Sequence, residues 1–212
     1  MIIAIDGPAG SGKSTIAKMI AKNLNINYLD TGAMYRVVTL FMLENDIDIN
    51  NEKLVEEKLK DVKIDIIDGE FYLNSKNVNI DIRKPEVSQN VSMIASYKKV
   101  RQYLVTEQQL IGTKSSCILD GRDIGSVVFP NADYKFFLTA SPETRARRRF
   151  LENENSDFAQ KEEEILKEII KRDEFDSTRK ESPLLMVTDA VEIDSSNLSI
   201  QEVVNIITKK VK

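Results

Sequence analysis

The chain has 212 residues, of which 42% are apolar and 30% charged, and its formal net charge is −4. This length and composition predict one globular domain with room for a small subdomain, and the slightly negative charge argues against a protein that collects nucleic acid non-specifically. The sequence has no histidine, which excludes a histidine general base, a histidine-ligated metal and a Ser-His-Asp triad.

The first part of the chain predicts alternating strands and helices, followed by a β insertion. The apolar run at residues 2–6 precedes Gly-Pro and predicts a buried strand, and it is too short for a signal peptide or a membrane span. The elements predicted after it are helix 13–24, strand 26–30, helix 32–43 and helix 52–60. Alternating apolar residues around Asp68-Gly69 predict a β-hairpin over 62–74, and 77–82 are expected to add a third strand. We therefore predict a small antiparallel insertion at 62–82.

The second part of the chain returns to the alternating pattern. The predicted elements are helices between Pro85 and Ile111, strands 115–120, 134–140 and 190–194, a helix that begins at Ser141-Pro142, a helix over 157–173, and a last helix capped by Ser199 and Glu202. Strands that alternate with helices predict the α/β class, with a parallel sheet flanked by helices, in a single domain over 1–212.

Because Cys117 is the only cysteine, it cannot form an intramolecular disulfide, and a reducing, cytoplasmic location is expected.

The segment GPAGSGKS, residues 7–14, matches the P-loop pattern G-x4-G-K-[ST] between a predicted strand and a predicted helix. Its glycines permit positive φ angles that bring backbone N–H groups close to a polyphosphate. Lys13 would reach the β- and γ-phosphates, and the Ser14 hydroxyl would bind Mg²⁺. The expected ATP-binding residues are Gly7, Pro8, Ala9, Gly10, Ser11, Gly12, Lys13, Ser14 and Thr15.

The arginines indicate the type of reaction. The chain lacks the Asn-Lys-x-Asp segment with which GTPases read guanine, so its size and arginine placement favour a kinase that acts on a small acceptor. Arginine binds phosphate through a rigid, two-pronged guanidinium, which suits transfer between two polyanions. Four arginines lie in RARRR, residues 145–149. On a helix Arg145, Arg148 and Arg149 would share one face, and Arg147 is expected to be solvated.

These features are compatible with two types of acceptor. A monophosphate has a second pKa of about 6 and is largely dianionic at neutral pH, so it needs little help from a base. A hydroxyl acceptor, as in shikimate or a sugar, would more often require a carboxylate base. Asp120 or Asp123 could serve as that base, and both acceptor types stay open.

Several segments together resemble the bacterial-type cytidylate kinase family of P-loop nucleoside monophosphate kinases. They are IDGPAGSGKST, YLDTGAMYR, IRKPEVSQNVSMIASYKKVR, LDGRDIGSVVFPNADYKFFLTAS, ETRARRR and RDEFDSTRKESPL, in family order from residue 2 to about 194. The resemblance implies a P-loop kinase core that transfers the γ-phosphoryl group of ATP, with Mg²⁺, to CMP or dCMP. It also implies that 62–82 belongs to the monophosphate-binding part and that 145–160 is a mobile lid. We expect a monomer with no nucleic-acid or membrane partner.

The resemblance also assigns roles to individual residues. The implied catalytic residues are Lys13, Arg36, Arg122 and Arg148, and the implied metal site is Ser14 with Asp120 through a water molecule. The implied contacts are Arg36, Arg122 and Arg179 for the acceptor phosphate, Ser92, Arg101 and Asp123 for the cytosine, and Arg172 and Asp176 near the ribose. Thr31 is expected near the acceptor, or alternatively as a helix cap. Asp120 is alternatively a turn-forming residue before Gly121.

The cytosine assignment has a chemical reason. Cytosine offers an N4 amino donor, which a carboxylate such as Asp123 can accept, whereas uracil offers an oxygen acceptor at that position. The alternatives are a kinase for UMP or AMP, and a P-loop nucleotide sensor without turnover. Two residues depart from the family pattern: Phe175 replaces a commonly basic residue, and Ser126 replaces the usual threonine.

Overall fold

The computed structural model describes residues 1–153 and 161–211. The chain divides into two compact units, which are described separately. We call Met1–Leu29 with Gly112–Lys212 the P-loop unit, and Asp30–Ile111 the central unit. Within the described ranges, no helix is both long and apolar enough to cross a membrane.

A five-stranded sheet organises the P-loop unit. Its strands are β1 (Ile2–Asp6), β2 (Asn27–Asp30, whose last residue belongs to the central unit), β6 (Cys117–Gly121), β7 (Tyr134–Thr139) and β8 (Val191–Asp194), in the order β2-β6-β1-β7-β8. The apolar strand β1 pairs in parallel with β6 on one side and with β7 on the other, and β7 pairs in parallel with β8. The carboxyl ends of β1 and β6 therefore lie side by side, with Asp6 opposite Gly121.

Helices flank this sheet and bury its faces. They are α1 (Lys13–Leu24), α6 (Pro142–Asn153), α7 (Glu162–Thr178) and α8 (Ile200–Val211). The main core joins β1, β6 and β7 to α1 and α8 through side chains such as Ile5, Ile20, Phe136 and Ile207. A smaller cluster joins α6 and α7 through Ala146, Ile165 and Ile169. The predicted α/β class is thus confirmed.

The central unit is mainly helical and contains a second sheet. Its helices are α2 (Thr31–Glu44), α3 (Glu52–Lys58), α4 (Pro85–Ile94) and α5 (Lys98–Gly112, whose last residue belongs to the P-loop unit). The antiparallel strands β3 (Ile64–Ile67), β4 (Glu70–Leu73) and β5 (Lys76–Asn77) have the order β3-β4-β5. The hairpin turns at Asp68-Gly69, where both residues have positive φ, as the sequence predicts.

The third strand of the insertion is shorter than predicted. The expectation of a strand over 77–82 is wrong beyond Asn77, because the chain forms a 3-10 turn at Asp81–Arg83. The Asn77 side chain accepts the N–H of Asn79, and the Asn79 side chain accepts the N–H of Phe71. These asparagines therefore use local hydrogen bonds that compete with a ladder.

Two further outcomes concern the helices. Ser141 begins α6 as predicted, because its hydroxyl accepts the N–H of Thr144, and Ser199 with Glu202 forms the predicted capping box before α8. The helix predicted over 157–173 is described from Glu162 and continues to Thr178. Residues 154–160 lie outside the described residues, and with them the start of that predicted helix, 157–160, and the end of the predicted lid 145–160.

Candidate active site

The P-loop connects β1 to α1 in a conformation that depends on glycine. Gly7, Gly10 and Gly12 all have positive φ, which confirms the predicted backbone shape. A Cβ atom on Gly7 would lie 2.0 Å from the carbonyl oxygen of Leu138, so no side chain fits there. Gly12, with φ of 91°, precedes the first residue of α1 and leaves its first N–H groups facing the loop. This is the arrangement that binds polyphosphates.

Lys13 is buried within this loop, at 6% exposure. Its Nζ donates to the carbonyl of Pro8 at 2.6 Å, and the hydroxyl of Ser11 lies 3.4 Å away. Burial, and next the positive charge of Arg122, hold the pKa of Lys13 well below its ordinary value, while Asp120 and Asp6 act in the opposite direction. The site thus contains a poorly solvated cation, which a polyphosphate would stabilise.

Asp120 connects the P-loop to strand β6. Its Oδ2 accepts the Ser14 hydroxyl at 2.8 Å, and its Oδ1 accepts the Tyr28 hydroxyl at 2.8 Å. Asp120 lies within β6, one residue before its end, so the alternative role as a turn-forming residue is wrong. Tyr28 was not predicted as a site residue, because its partner is 92 positions away in the sequence.

The pair formed by Ser14 and Asp120 suits a magnesium ion. Hydroxyl and carboxylate oxygens are ligands that Mg²⁺ prefers, and this ion commonly takes only one or two from the protein, with water and substrate phosphates completing its shell. Residues 1–153 and 161–211 contain no group of three or more Cys, Asp or Glu side chains that could hold a metal ion. The predicted residues therefore fit the ion.

Three arginines surround the buried carboxylate of Asp176. Arg122 Nε lies 2.9 Å from Asp176 Oδ2, Arg172 Nε lies 3.9 Å from it, and Arg179 Nη1 lies 3.8 Å from Oδ1. Burial would raise the pKa of Asp176, but the charges of Arg122, Arg172 and Arg179 together hold it below its ordinary value. Arg179 also donates twice to the carbonyl of Ser182. The structure thus brings together four of the predicted acceptor residues.

The segment after Arg122 is fixed by a residue that the sequence did not reveal. Asp6, the last residue of β1, accepts the backbone N–H groups of Ile124 and Gly125, each at 2.7 Å. Burial raises the pKa of Asp6 to about 6; the two N–H groups oppose this rise, and the charge of Asp123 adds to it. A signal was available, since a carboxylate that ends a buried apolar strand requires hydrogen-bond partners.

The arginines of α6 have different roles. Arg145 is 3% exposed and forms a two-pronged ion pair with Asp173, at 3.1 and 2.6 Å. Arg147 is solvated as predicted, with its side chain 56% exposed, and it also pairs with Glu162 at 2.9 Å. Arg148 donates to the hydroxyl and carbonyl oxygens of Ser195, at 3.1 and 2.6 Å. The Ser195 hydroxyl in turn lies 3.4 Å from the P-loop carbonyl of Ser11.

Asp123 lies in the P-loop unit, and the central unit holds the remaining predicted acceptor residues. Arg36 donates to the Ser88 hydroxyl at 2.6 Å. Arg101 is buried, donates to the carbonyl of Ala95, and has its guanidinium 5.2 Å from the centre of the Tyr35 ring. Ser92 lies half-buried on α4.

The N-terminus of α2 shows whether Thr31 caps this helix. Asp30 caps this helix by accepting the N–H of Ala33, and Thr31 is the buried first residue of α2. The alternative of Thr31 as a helix cap is therefore wrong.

Comparisons with known proteins identify the family. The sequence matches the cytidylate kinase family over residues 3–212. The chain belongs to the cytidylate kinase family. A protein named cytidylate kinase from Clostridioides difficile (strain 630) is 53% identical over 211 residues, which cover 100% of this chain and 98% of the relative. One of the same name from Fusobacterium nucleatum subsp. nucleatum is 51% identical over 212 residues, covering 100% and 97%.

Solved structures support the fold of this cytidylate kinase family member at lower similarity. A sugar kinase from Janibacter sp. HTCC2649 aligns over 99% of this chain and 93% of its own, with a TM-score of 0.52 and 11% identity. An uncharacterized protein from Eubacterium ventriosum ATCC 27560 aligns over 100% and 97%, with a TM-score of 0.52 and 15% identity. The family name also makes the chain a kinase rather than a nucleotide sensor without turnover.

Proposed function

We propose that this protein is an ATP-dependent cytidylate kinase, which transfers the γ-phosphoryl group of ATP to the phosphate of CMP or dCMP. The products are ADP with CDP or dCDP. One observation carries the proposal. In this member of the family, the P-loop and the segment Asp120–Asp123 lie in the same unit, and the Ser14 hydroxyl donates to Asp120 at 2.8 Å. The relatives' name supplies the acceptor.

The proposed reaction is an in-line displacement. An oxygen of the CMP phosphate bonds to the γ-phosphorus, the bond from that phosphorus to the β–γ bridging oxygen breaks, and its electron pair leaves with ADP. The P-loop N–H groups and Lys13 would stabilise the charge on the β- and γ-phosphates, while Arg122 and Arg148 would bind the transferred group. No strong base is needed, because the acceptor phosphate is largely dianionic at neutral pH.

We propose Mg²⁺ as the cofactor. Ser14 and, through a water molecule, Asp120 would hold it, and when bound it would neutralise charge on the ATP phosphates. The short hydrogen bonds from Ser14 and Tyr28 already fix the Asp120 carboxylate in place.

The acceptor residues keep their predicted roles in this proposal. Arg36, Arg122 and Arg179 bind the acceptor phosphate, Ser92, Arg101 and Asp123 bind the cytosine, Arg172 and Asp176 lie near the ribose, and Thr31 lies near the acceptor. Asp176 supports this assignment because its contacts orient Arg122 and Arg179. The lid at 145–160, the monophosphate-binding role of 62–82, the cytoplasmic location in pyrimidine metabolism and the monomeric state remain predictions.

A panel of monophosphates tests the proposed function. We expect ADP release, coupled to NADH oxidation, to be fastest with CMP and dCMP and at least about tenfold slower with UMP, AMP and GMP, because only cytosine offers Asp123 an amino donor on that edge. Reactions without acceptor serve as the control. Equal rates with CMP and UMP would refute the cytosine assignment, and ADP release that does not depend on any monophosphate would refute the kinase proposal.

The variant Asp123→Ala tests the residue that we assign to the base. Its carboxylate is buried, at 4% exposure, so we expect its loss to lower kcat/KM for CMP by about 10²-fold and to change the KM for ATP by less than about twofold. Asp133→Asn is a matched control, because Asp133 is a carboxylate of the same unit that accepts the N–H of Ile2 at the other end of β1. Unchanged CMP kinetics in Asp123→Ala would remove Asp123 from base recognition.

A further inference from the structure

Asp6 occupies an unusual position between the two motifs of the site. It ends β1, directly before the first glycine of the P-loop, and is 6% exposed. Its carboxylate does not bond to the P-loop backbone in the contacts that the structure describes. Instead its two oxygens accept the consecutive N–H groups of Ile124 and Gly125, both at 2.7 Å.

The segment that Asp6 holds is a single helical turn. Residues Ile124–Val128 form a π-helical turn, in which Phe129 N–H bonds to the Ile124 carbonyl at 2.7 Å and Val128 N–H bonds to the Asp123 carbonyl at 3.2 Å. The first N–H groups of any helical turn have no carbonyl partner within it. Asp6 supplies acceptors for two of them from a strand more than a hundred residues away, and so acts as a remote cap.

The capped turn begins directly after the residues assigned to the acceptor. Asp123 precedes Ile124 with φ of −146° and ψ of 27°, outside regular helix or strand geometry. Gly125 leaves little space: a Cβ atom there would lie 3.2 Å from Lys135 Cδ and 3.4 Å from Asp6 Oδ2. Once Ile124 and Gly125 are fixed, the direction in which the Asp123 side chain leaves the backbone is fixed as well.

We propose that Asp6 is a positioning residue for base selection: through Ile124 and Gly125 it fixes Asp123, and it links the strand that carries the P-loop to the acceptor motif. This inference rests on the proposed function, because Asp123 can select a base only if the enzyme binds one. Asp6 itself touches no substrate in this role.

The variant Asp6→Asn tests the inference. Asparagine has one carbonyl oxygen, so it can accept only one of the two N–H groups well and presents its own N–H₂ donors to the other. We expect kcat/KM for CMP to fall about tenfold, the CMP-to-UMP ratio of kcat/KM to fall by a similar factor, and the KM for ATP to change by less than about twofold. A purely structural role would lower all activities in proportion and leave the ratio unchanged.

Two further measurements keep the test decisive. Hydrogen exchange at the amides of residues 124 and 125 should be at least about tenfold faster in Asp6→Asn, because each amide loses its acceptor or shares it. Gly125→Ala perturbs the same contact while Asp6 stays intact, and it should lower the CMP-to-UMP ratio by about threefold. Asp133→Asn, which removes the carboxylate bonded to the opposite end of β1, should leave the ratio at the wild-type value.

The outcomes separate this inference from the proposed function. If the wild type itself lacks a preference for CMP, the proposed function fails. If the wild type prefers CMP, and both Asp6→Asn and Gly125→Ala keep the wild-type ratio, the positioning role of Asp6 is overturned. Should Asp6→Asn not fold, the ratio in Gly125→Ala alone decides.

Discussion

Replacing Lys13 by methionine should abolish turnover without destabilising the protein. We expect kcat to fall by at least about 10³-fold, because in the proposed mechanism the Lys13 ammonium stabilises the charge on the β- and γ-phosphates. The free energy of unfolding should stay equal or rise. Methionine has nearly the same length, and it removes a cation that is 6% exposed.

The expected gain in stability follows from the pKa of Lys13. Burial, followed by the charge of Arg122, places it well below the ordinary lysine value. Lys13 therefore binds its proton more tightly in the unfolded chain than in the folded one, so the protonated form of Lys13 disfavours folding. This penalty is present at neutral pH and disappears only as the pH rises above the ordinary lysine pKa. The carbonyl of Pro8 keeps a partner in the variant, the Ser11 hydroxyl at 3.0 Å.

The measurement combines a coupled assay with denaturant unfolding of the same preparations. Lys22→Met is the matched control, because Lys22 is an exposed lysine on the same helix, and it should change neither quantity. A Lys13→Met variant that is less stable than wild type by more than about 1 kcal/mol would show that the ammonium stabilises the fold. A loss in kcat of less than about tenfold would exclude the proposed catalytic role.

Local sequence patterns predict those parts of the structure that depend on residues close together in the sequence. The P-loop could be predicted because its glycines, Lys13 and Ser14 lie within eight residues and follow an apolar strand. The hairpin at Asp68-Gly69 was predicted for the same reason, since two residues determine the turn. The strand expected at 77–82 failed because periodicity does not register that Asn77 and Asn79 bond to nearby backbone N–H groups.

The parts that could not be predicted depend on pairs far apart in the sequence. Tyr28 meets Asp120 across 92 positions, and Asp6 meets Ile124 across 118. Neither pair has a local signature, because only the strand order β2-β6-β1 brings these parts of the chain together. The same limitation applies to Arg145, because nothing in the segment RARRR indicates that its partner is Asp173, 28 positions away.

Replacing Asp173 by alanine should cause a large loss of stability. Arg145 is 3% exposed and its guanidinium bonds to Asp173 at 3.1 and 2.6 Å. It also donates to the carbonyls of Ala140 and Ala9 at 2.9 and 3.1 Å. Without Asp173 these neutral carbonyls are its only described partners, so an uncompensated buried cation results, which costs about 3 kcal/mol of unfolding free energy.

An exposed ion pair between the same two helices provides the comparison. Arg147 and Glu162 lie 2.9 Å apart, with side chains 56% and 41% exposed. We expect Glu162→Ala to reduce the unfolding free energy by less than about 1 kcal/mol, because water screens the pair. Denaturant titrations of both variants at the same pH measure the difference. Equal losses of unfolding free energy in Asp173→Ala and Glu162→Ala would show that burial does not increase the contribution of the Arg145–Asp173 pair to stability.

A double-mutant cycle separates the buried charge from the lost contact. Arg145→Met with Asp173→Ala removes both charges and leaves an apolar side chain in the buried position of Arg145. The double variant should therefore be more stable than Asp173→Ala alone, by about 1–2 kcal/mol, because replacing both members of a buried pair is far less costly than removing one. If the losses of unfolding free energy in Arg145→Met and Asp173→Ala simply add in the double variant, the penalty in Asp173→Ala does not arise from the isolated guanidinium.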